Sequence, residues 1–347
     1  MGRLAGGRAL RLSRKKIVYL WGYKMAENIC TVKPKRVRTR NQKRLLFYAL
    51  MFALPLLQFA IFYIYVNFNS IIIAFQEQVA RPGVGTGYEV KASLEPFKWA
   101  FNQFFSKESG LMLWRSVQLL VCQLVIVTPL ALLFSYYIAK EKPAAGIFRV
   151  MLYMPQVLSV VVLGILFKFI VSEAYPVGME QLFDKKVGGL LLPNTEANDN
   201  FYTALIFTIW FSFGANVLIF TGAMSGVDSS VVESAHLDGV SNLQEFIYIY
   251  VPMIFSTVTT FIITGIAGIF NNQMNLHVFF SNSEGNVDVF GYYFYRMTAL
   301  CTEDPNGVYG DINLRKLAAL GLIATVILVP TVLIVRKLLE KYGPSTD

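Results

Sequence analysis

The chain has 347 residues, of which 55% are hydrophobic and 15% are charged, against roughly 25% charged residues in an ordinary soluble domain. Its net charge of +9 is concentrated at the N-terminus, where residues 1–44 hold fourteen Lys or Arg and one acidic residue, Glu27. This composition excludes an ordinary soluble domain and predicts a protein that crosses a membrane several times.

Residues 1–44 form a basic tail directly before the first apolar segment. Such a tail could bind nucleic acid, but its position favours an N-terminus held in the cytoplasm and in contact with anionic lipid head groups. The next apolar segment is too long for a secretory signal, and no small-residue cleavage site follows it. We therefore expect a retained anchor. Met25 could be the true start, because residues 1–24 are unlike the rest of the chain.

Six apolar segments are long enough to cross a bilayer core of about 30 Å, and they predict an all-α polytopic membrane protein. They lie near residues 45–66, 114–138, 148–171, 202–224, 252–271 and 317–335. We divide the chain into the tail (1–44), the first span with its outer loop (45–113), a core (114–338) and a C-terminal stub (339–347).

The positions of Lys and Arg predict the orientation of these spans. Lys140 and Lys142 follow the second span, and Arg336 and Lys337 follow the sixth. The positive-inside rule places these residues, and with them both termini, on the cytoplasmic side. The loop 225–251 falls on the same side although it contains no Lys or Arg. An acidic loop in this position suggests that it meets a basic partner surface.

The sequence contains no phosphate-binding loop, no H-E-x-x-H, no Cys-x-x-Cys and no G-x-S-x-G motif. Cys30, Cys122 and Cys301 are too few and too scattered for a disulfide framework or a metal cluster. The spans contain no pair of acidic residues, which argues against a proton-coupled pump. We therefore expect no catalytic residue, no bound cofactor and no metal site in this chain.

The stretch 233–252 is the most informative motif. It reads as a short polar helix beginning with Glu233, a tight turn at Asp238 and Gly239, and a second short helix that leads to Pro252. Ser229 and Ser230 are candidates to cap the first helix, Gly239 permits the turn, and Pro252 suits the first turn of the fifth span. The arrangement predicts a docking site for another protein on the cytoplasmic side.

This stretch resembles the E-A-A motif of the permease subunits of binding-protein-dependent, ATP-driven importers. The matching residues are Glu233, Ala235, Asp238, Gly239, Phe246, Ile249 and Pro252, whereas Ser234 and Val251 depart conservatively from the pattern. Phe148-Arg149 with Pro155, and Trp210 with Gly214, also resemble elements of the family. The resemblance covers about residues 110–340 and is nearest to the carbohydrate type, the maltose and glycerol-phosphate permeases.

The resemblance implies the fold of a type I importer permease in a bacterial plasma membrane. It implies a second permease subunit, which we expect to be a related but different chain. It also implies two cytoplasmic ATP-binding subunits, which carry ATP and Mg²⁺ and dock on the loop 225–251, and an extracytoplasmic solute-binding protein. The solute is then expected to be a sugar or oligosaccharide. Cargoes such as phosphate, polyamine or peptide remain alternatives, as do a membrane-embedded enzyme and a passive channel.

The resemblance also makes Asn272 a candidate solute ligand, because the related permeases have Phe-Asn-Asn at this distance after the motif. Amide side chains suit sugar hydroxyls, since they both donate and accept. Polar or small residues on one face of the fourth or fifth span are further candidates, although such faces more often pack helices together. The candidate solute residues are Asn272, Asn271, Thr264, Gly268, Ser212 and Asn216. We expect Tyr292, Tyr293 and Tyr295 to anchor the chain at the membrane interface rather than to stack on sugar.

Overall fold

The computed structural model describes residues 35–80, 88–280, 287–303, 308–309 and 311–344. The basic tail up to residue 34, including Met25 and Cys30, lies outside the described residues, and the predicted division of the chain stays a prediction. The described chain divides into two units, one that ends at residue 69 and one that begins at residue 70.

Helices dominate the described chain. Those of its first half are α1 Lys35–Phe59, α2 Val66–Ala74, α3 Glu95–Phe104, α4 Lys107–Cys122, α5 Thr128–Ala139, α6 Ala145–Val157, α7 Val160–Phe169 and α8 Tyr175–Phe183. Those of its second half are α9 Ala197–Met224, α10 Ser229–Leu237, α11 Asn242–Glu245, α12 Val251–Met253, α13 Phe255–Ala267, α14 Leu276–Phe279, α15 Phe290–Glu303 and α16 Leu314–Tyr342. Four pairs of helices are continuous because a wider π-helical turn joins them. These turns are Ala60–Tyr65 between α1 and α2, Gln123–Val127 between α4 and α5, Ile170–Ala174 between α7 and α8, and Phe246–Tyr250 between α11 and α12.

Two small antiparallel hairpins interrupt the helices. Strand β1 (Gln76–Ala80) pairs with β2 (Tyr88–Ala92), and strand β3 (Val308–Tyr309) pairs with β4 (Ile312–Asn313). Both hairpins lie between predicted spans, the first between 45–66 and 114–138 and the second between 252–271 and 317–335, so they do not interrupt a span.

Five helices of the described chain are long and apolar enough to cross a membrane: Arg44–Ala74, Lys107–Ala139, Val160–Phe183, Ala197–Met224 and Leu314–Tyr342. A bent pair, Asn242–Met253 and Phe255–Ala267, makes six if the pair counts as one span. The predicted all-α, polytopic fold with about six spans is confirmed.

The third span differs from its prediction at 148–171. Helix α6 ends at Val157, Leu158 is extended (φ −86°, ψ 152°), and the helix that is long enough to span runs from Val160 to Phe183. Pro155 in the last turn of α6 removes a backbone donor and disfavours continuation of that helix. The polar residues at the break, Gln156 and Ser159, are too few to end the apolar stretch, so average hydrophobicity alone does not reveal the break.

The fifth span also differs from its prediction. Pro252 does not open the span: it lies near the end of the continuous helix Asn242–Met253, and the chain bends by 68° before Phe255. The π-helical turn Phe246–Tyr250 immediately precedes Pro252, and such wide turns accommodate a missing backbone donor. The span is therefore broken at Ile254, not started at Pro252.

The interior of the unit 70–347 contains three buried apolar clusters. The cluster that positions the loop 225–251 joins α5, α9 and α10 to the bent helix, and includes Ile138, Phe220, Val232 and Tyr250. Helices α6 and α9 approach closely at Gly214, where an added Cβ atom would overlap a backbone carbonyl of α6.

The aromatic run 292–295 departs from the prediction of interfacial anchoring. The run lies on α15, and the side chains of Tyr292 and Tyr293 are buried inside the protein, whereas that of Tyr295 is exposed. Burial raises the pKa of both buried tyrosines to about 12. Because α15 packs against the other helices, Tyr292 and Tyr293 belong to the buried core and do not reach a membrane interface.

Candidate functional site

The first helix of the loop, α10, has an N-cap one residue earlier than predicted. The carboxylate of Asp228 accepts a hydrogen bond from the backbone N–H of Ser230 at 2.9 Å, so Ser229 and Ser230 are the first helical residues and do not cap it. These N–H and hydroxyl donors hold the pKa of Asp228 below its usual range. A charged carboxylate also interacts favourably with the helix N-terminus.

The turn after α10 depends on Gly239, which adopts φ +78°. Its N–H donates to the carbonyl of His236 at 3.1 Å, and the N–H of Val240 donates to that of Ala235 at 3.2 Å. These bonds satisfy the last carbonyl groups of α10 in the manner of a left-handed C-terminal cap. Ser241 and Gln244 then begin the next helix with a reciprocal capping box. The loop is therefore a defined elbow.

The elbow presents one surface and buries another. Val232 is buried in the cluster that includes Ile138, so it anchors α10. Glu233, Asp238 and Gly239 are exposed, Ala235 is half-buried, and the Leu237 side chain at the end of α10 is 90% exposed. Leu237 was not among the predicted docking residues, although a leucine among polar residues in a loop indicates a candidate contact surface.

Further along the elbow the predicted docking residues are less accessible. Phe246, Ile249 and Pro252 are half-buried. The exposed apolar side chains on this helix are instead Leu243, Ile247, Tyr248 and Met253. Because one face of the helix packs inward, the motif residues divide into an exposed group on α10 and a packed group after it.

A buried ionic cluster lies behind the elbow, and its contacts were not predicted from the sequence. The Glu245 side chain is 1% exposed, and its Oε1 lies 2.6 Å from Nζ of Lys140, at the end of α5. Its Oε2 lies 3.3 Å from Nε2 of His236 on α10. The sequence showed only that Glu245 is one of four acidic residues in a loop without Lys or Arg.

The candidate solute residues after α13 lie in a tightly folded loop. The N–H groups of Asn271 and Asn272 both donate to the carbonyl of Gly268, at 2.9 and 2.8 Å. Both asparagine side chains are exposed, and Oδ1 of Asn272 accepts from the N–H of Met274 at 2.9 Å. Gly291 leaves room for this backbone, since an added Cβ atom there would meet it at 2.5 Å.

Two long-range bonds fix the same loop from neighbouring spans. The hydroxyl of Thr208 on α9 donates to the carbonyl of Met274 at 3.0 Å. The ammonium of Lys168 on α7 donates to the carbonyl of Phe279 at 2.6 Å. A lysine within a spanning helix is costly unless it is paired, so this bond gives Lys168 a defined function in positioning the loop.

The remaining candidate solute residues do not form one surface. Thr264 is exposed and its hydroxyl donates to the carbonyl of Thr260, whereas Ser212 is half-buried and bonds within its own helix. Asn216 is buried, and its Nδ2 has no hydrogen-bond partner among the described residues. Asn216 thus lies in the interior, away from the exposed Asn271 and Asn272.

Within the described ranges no group of three or more His, Cys, Asp or Glu side chains could hold a metal ion. The elbow consists of helix caps, a glycine in the left-handed conformation, and exposed apolar and acidic side chains. Such a surface can bind a partner, but the elbow residues form no arrangement of a nucleophile and a base. Several spans, two of them joined by an exposed helical elbow, define an α-helical polytopic membrane protein.

The particular family follows from a comparison of sequences. The model of the binding-protein-dependent transport system inner membrane component matches residues 128–344, so the chain belongs to this family, and the predicted resemblance is confirmed. The family is one of transport permeases and not of enzymes.

Known relatives and solved structures agree with this assignment. The arabinooligosaccharides transport system permease protein AraP of Halalkalibacterium halodurans is 23% identical over 67% of this chain and 71% of the relative. The protein of the same name from Bacillus subtilis is 25% identical over 68% and 74%. A bacterial ABC transporter involved in the import of the acidic polysaccharide alginate has the same fold, with a TM-score of 0.62 at 17% identity over 89% of this chain and 99% of that chain.

Proposed function

We propose that this chain is a pore-forming permease subunit of an ATP-driven importer, and that its solute is a sugar or oligosaccharide. The single observation that carries the coupling role is the elbow itself. Val232 fixes α10 to the interior, while Glu233 and Leu237 stand free on the surface. An apolar anchor beside a carboxylate is the pattern of a protein–protein contact with a basic, grooved partner.

Hydrolysis belongs to separate partner subunits in this proposal. Two cytoplasmic ATP-binding subunits bind ATP and Mg²⁺ and dock on the elbow, a second and different permease subunit completes the pore, and an extracytoplasmic binding protein delivers the solute. The chain lies in a bacterial plasma membrane with both termini in the cytoplasm. The distribution of Lys and Arg supports this orientation.

The carbohydrate assignment is supported by the relatives, whose names specify arabinooligosaccharides, and by the exposed amides of Asn271 and Asn272. Amides donate and accept, as hydroxyl recognition requires. We assign Asn272 as the solute ligand, with Asn271, Gly268 and Thr264 beside it, and Ser212 and Asn216 in more interior positions. Phosphate, polyamine or peptide is the second candidate cargo.

The docking role is tested by Glu233→Arg and Leu237→Asp in complexes reconstituted with the co-purifying ATP-binding subunits. We expect each variant to reach the membrane but to lose solute uptake per ATP hydrolysed. The matched control is Glu141→Arg, because Glu141 is an exposed glutamate in the neighbouring loop and should tolerate reversal. Wild-type coupling in both elbow variants would refute the docking role.

Orientation and cargo need two further measurements. A single cysteine at the exposed Ser234, in a background with the three native cysteines replaced, should react with an impermeant maleimide only in inverted vesicles. Labelling in intact cells would overturn the orientation. Arabinotriose and lactose should stimulate ATPase activity of the full complex, and stimulation by phosphate or spermidine alone would favour the second cargo class.

A further inference from the structure

The carboxylate of Glu245 joins three segments of the chain at one buried point. It belongs to the helix after the elbow, it contacts Lys140 at the end of α5 at 2.6 Å, and it contacts His236 on α10 at 3.3 Å. The Nζ of Lys140 and the Nε2 of His236 are themselves 3.4 Å apart. The cluster therefore links the exposed helix of the elbow to the end of a membrane-spanning helix.

The surrounding side chains make this link rigid. Tyr136, one turn before Lys140, donates from its hydroxyl to the carbonyl of Asn242 at 3.1 Å. Its ring packs against those of Phe246 and Tyr250, with centroids 5.2 and 5.1 Å apart. The end of α5 and the helix after the elbow are thus held by an aromatic contact, a hydrogen bond and an ion pair.

A carboxylate in such a position must be paired. Removal of one partner of a buried ion pair leaves an uncompensated charge in a medium of low polarity, which is far more costly than loss of a surface pair. The helix α10, in contrast, has only Val232 among its buried side chains. The contact between His236 and Glu245 is therefore a second attachment of α10 to the rest of the chain, beside that of Val232.

We propose that Glu245 is a positioning residue that transmits movement of α10 to the end of α5, through its simultaneous contacts with His236 and Lys140. This inference rests on the proposed docking of the ATP-binding subunits on α10 and specifies how their movement enters the span. When α10 moves, His236 displaces Glu245, and Glu245 in turn displaces Lys140. The elbow and the end of α5 then move as one body.

The first test measures solute uptake per ATP in proteoliposomes that contain the full complex. Glu245→Gln keeps the size of the side chain but removes its charge, and Lys140→Met removes the partner charge. We expect uptake per ATP to fall about tenfold, within the range of ordinary allosteric coupling, while the ATP-binding subunits still co-purify in the wild-type ratio. Lys140→Arg keeps the ion pair, so uptake per ATP in this variant should remain at the wild-type value.

The second test measures the movement directly. Spin labels at Glu141 and Ser234, both exposed, report the distance between the end of α5 and α10. With Glu245, Lys140 and His236 all intact, this distance should be the same in the nucleotide-free state and after trapping with ATP and vanadate. In Lys140→Met the distance should change between the two states by ~2 Å or more, because α10 then moves alone.

The outcomes separate this inference from the proposed function. If Glu233→Arg uncouples transport while Lys140→Met and His236→Phe couple normally, the docking role stands and the transmission through Glu245 is overturned. If Glu233→Arg and Leu237→Asp couple normally, the proposed function itself fails. Should Glu245→Gln fail to accumulate in the membrane, His236→Phe decides whether transmission occurs, because the His236 side chain is 48% exposed and the substitution leaves the Lys140 pair in place.

Discussion

Substitution of Gly239 gives the sharpest quantitative prediction for the elbow. Its φ of +78° lies in the left-handed region, and an added Cβ atom would meet nothing within 4 Å. The penalty for Gly239→Ala is therefore purely conformational, about 1–2 kcal/mol. A cost of this size lowers the population of the native elbow roughly 5- to 30-fold relative to its open form.

The series Gly239→Asn and Gly239→Ala should produce a graded loss, because asparagine tolerates the left-handed region better than alanine. The assays are solute uptake per ATP in proteoliposomes and amide hydrogen exchange over residues 236–242. We expect exchange in this segment to accelerate in the order wild type, Asn, Ala, and coupling to fall in the same order.

Gly226→Ala is the matched control, since Gly226 lies in the same loop but has no positive φ, and its added Cβ atom would make ordinary contact at 3.4 Å. It should leave both assays unchanged. A conformational role of Gly239 is refuted if Gly239→Ala matches the wild type in both assays. It is also refuted if Gly226→Ala lowers coupling equally, because the loss would then not come from backbone conformation.

Three further predictions concern packing, capping and the loop after α13. Gly214→Ala should lower the stability of the solubilised protein by about 1–3 kcal/mol, because its Cβ atom would overlap a backbone carbonyl of α6; Gly222→Ala on the same helix meets nothing and should leave the melting temperature unchanged. Asp228→Ala should accelerate amide exchange in α10 by removing its N-cap, whereas Asp228→Asn should not. Because the folded-state pKa of Asp228 is lowered, its contribution to the stability of α10 is complete above the unfolded pKa and is lost as pH falls through the folded value. Protection factors of the α10 amides, which correct for the pH dependence of intrinsic exchange, should therefore fall there in the wild type. Equal protection factors above and below the folded pKa would contradict this cap. Lys168→Met should abolish stimulation of ATPase activity by solute while basal activity persists, since the loop that contains the candidate ligands loses its bond at 2.6 Å; unchanged stimulation would show that Lys168 does not position it.

Local sequence patterns predicted the spans and the elbow well. Long apolar runs account for the spans Ala197–Met224 and Leu314–Tyr342, which were predicted at 202–224 and 317–335. The Asp-Gly turn is equally local, since Gly239 is the residue type that a left-handed position requires. Family membership was predictable for the same reason: the motif 233–252 is contiguous.

Features that depend on where helices meet were not predictable. The break between α6 and α7 falls beside Pro155, Gln156 and Ser159, which interrupt a long apolar stretch only briefly, so average hydrophobicity stays high across it. Pro252 suits a helix start as well as the end of a bent helix, and the neighbouring π-helical turn decides between them. Burial of Tyr292 and Tyr293 depends on the path of α15 over the other helices.

Composition and short-range pattern thus determined that this chain crosses a membrane several times and has a helical hairpin before its fifth span, because membrane insertion and turn formation are decided by neighbouring residues. The contiguous motif 233–252 added the resemblance to a permease family. Tertiary structure alone decided the partners of individual polar groups. Lys140 and Glu245 are 2.6 Å apart in space but far apart in sequence, and neither is unusual where it stands. Only the packing of α5 against the elbow excludes water from that point and makes the two charges depend on each other.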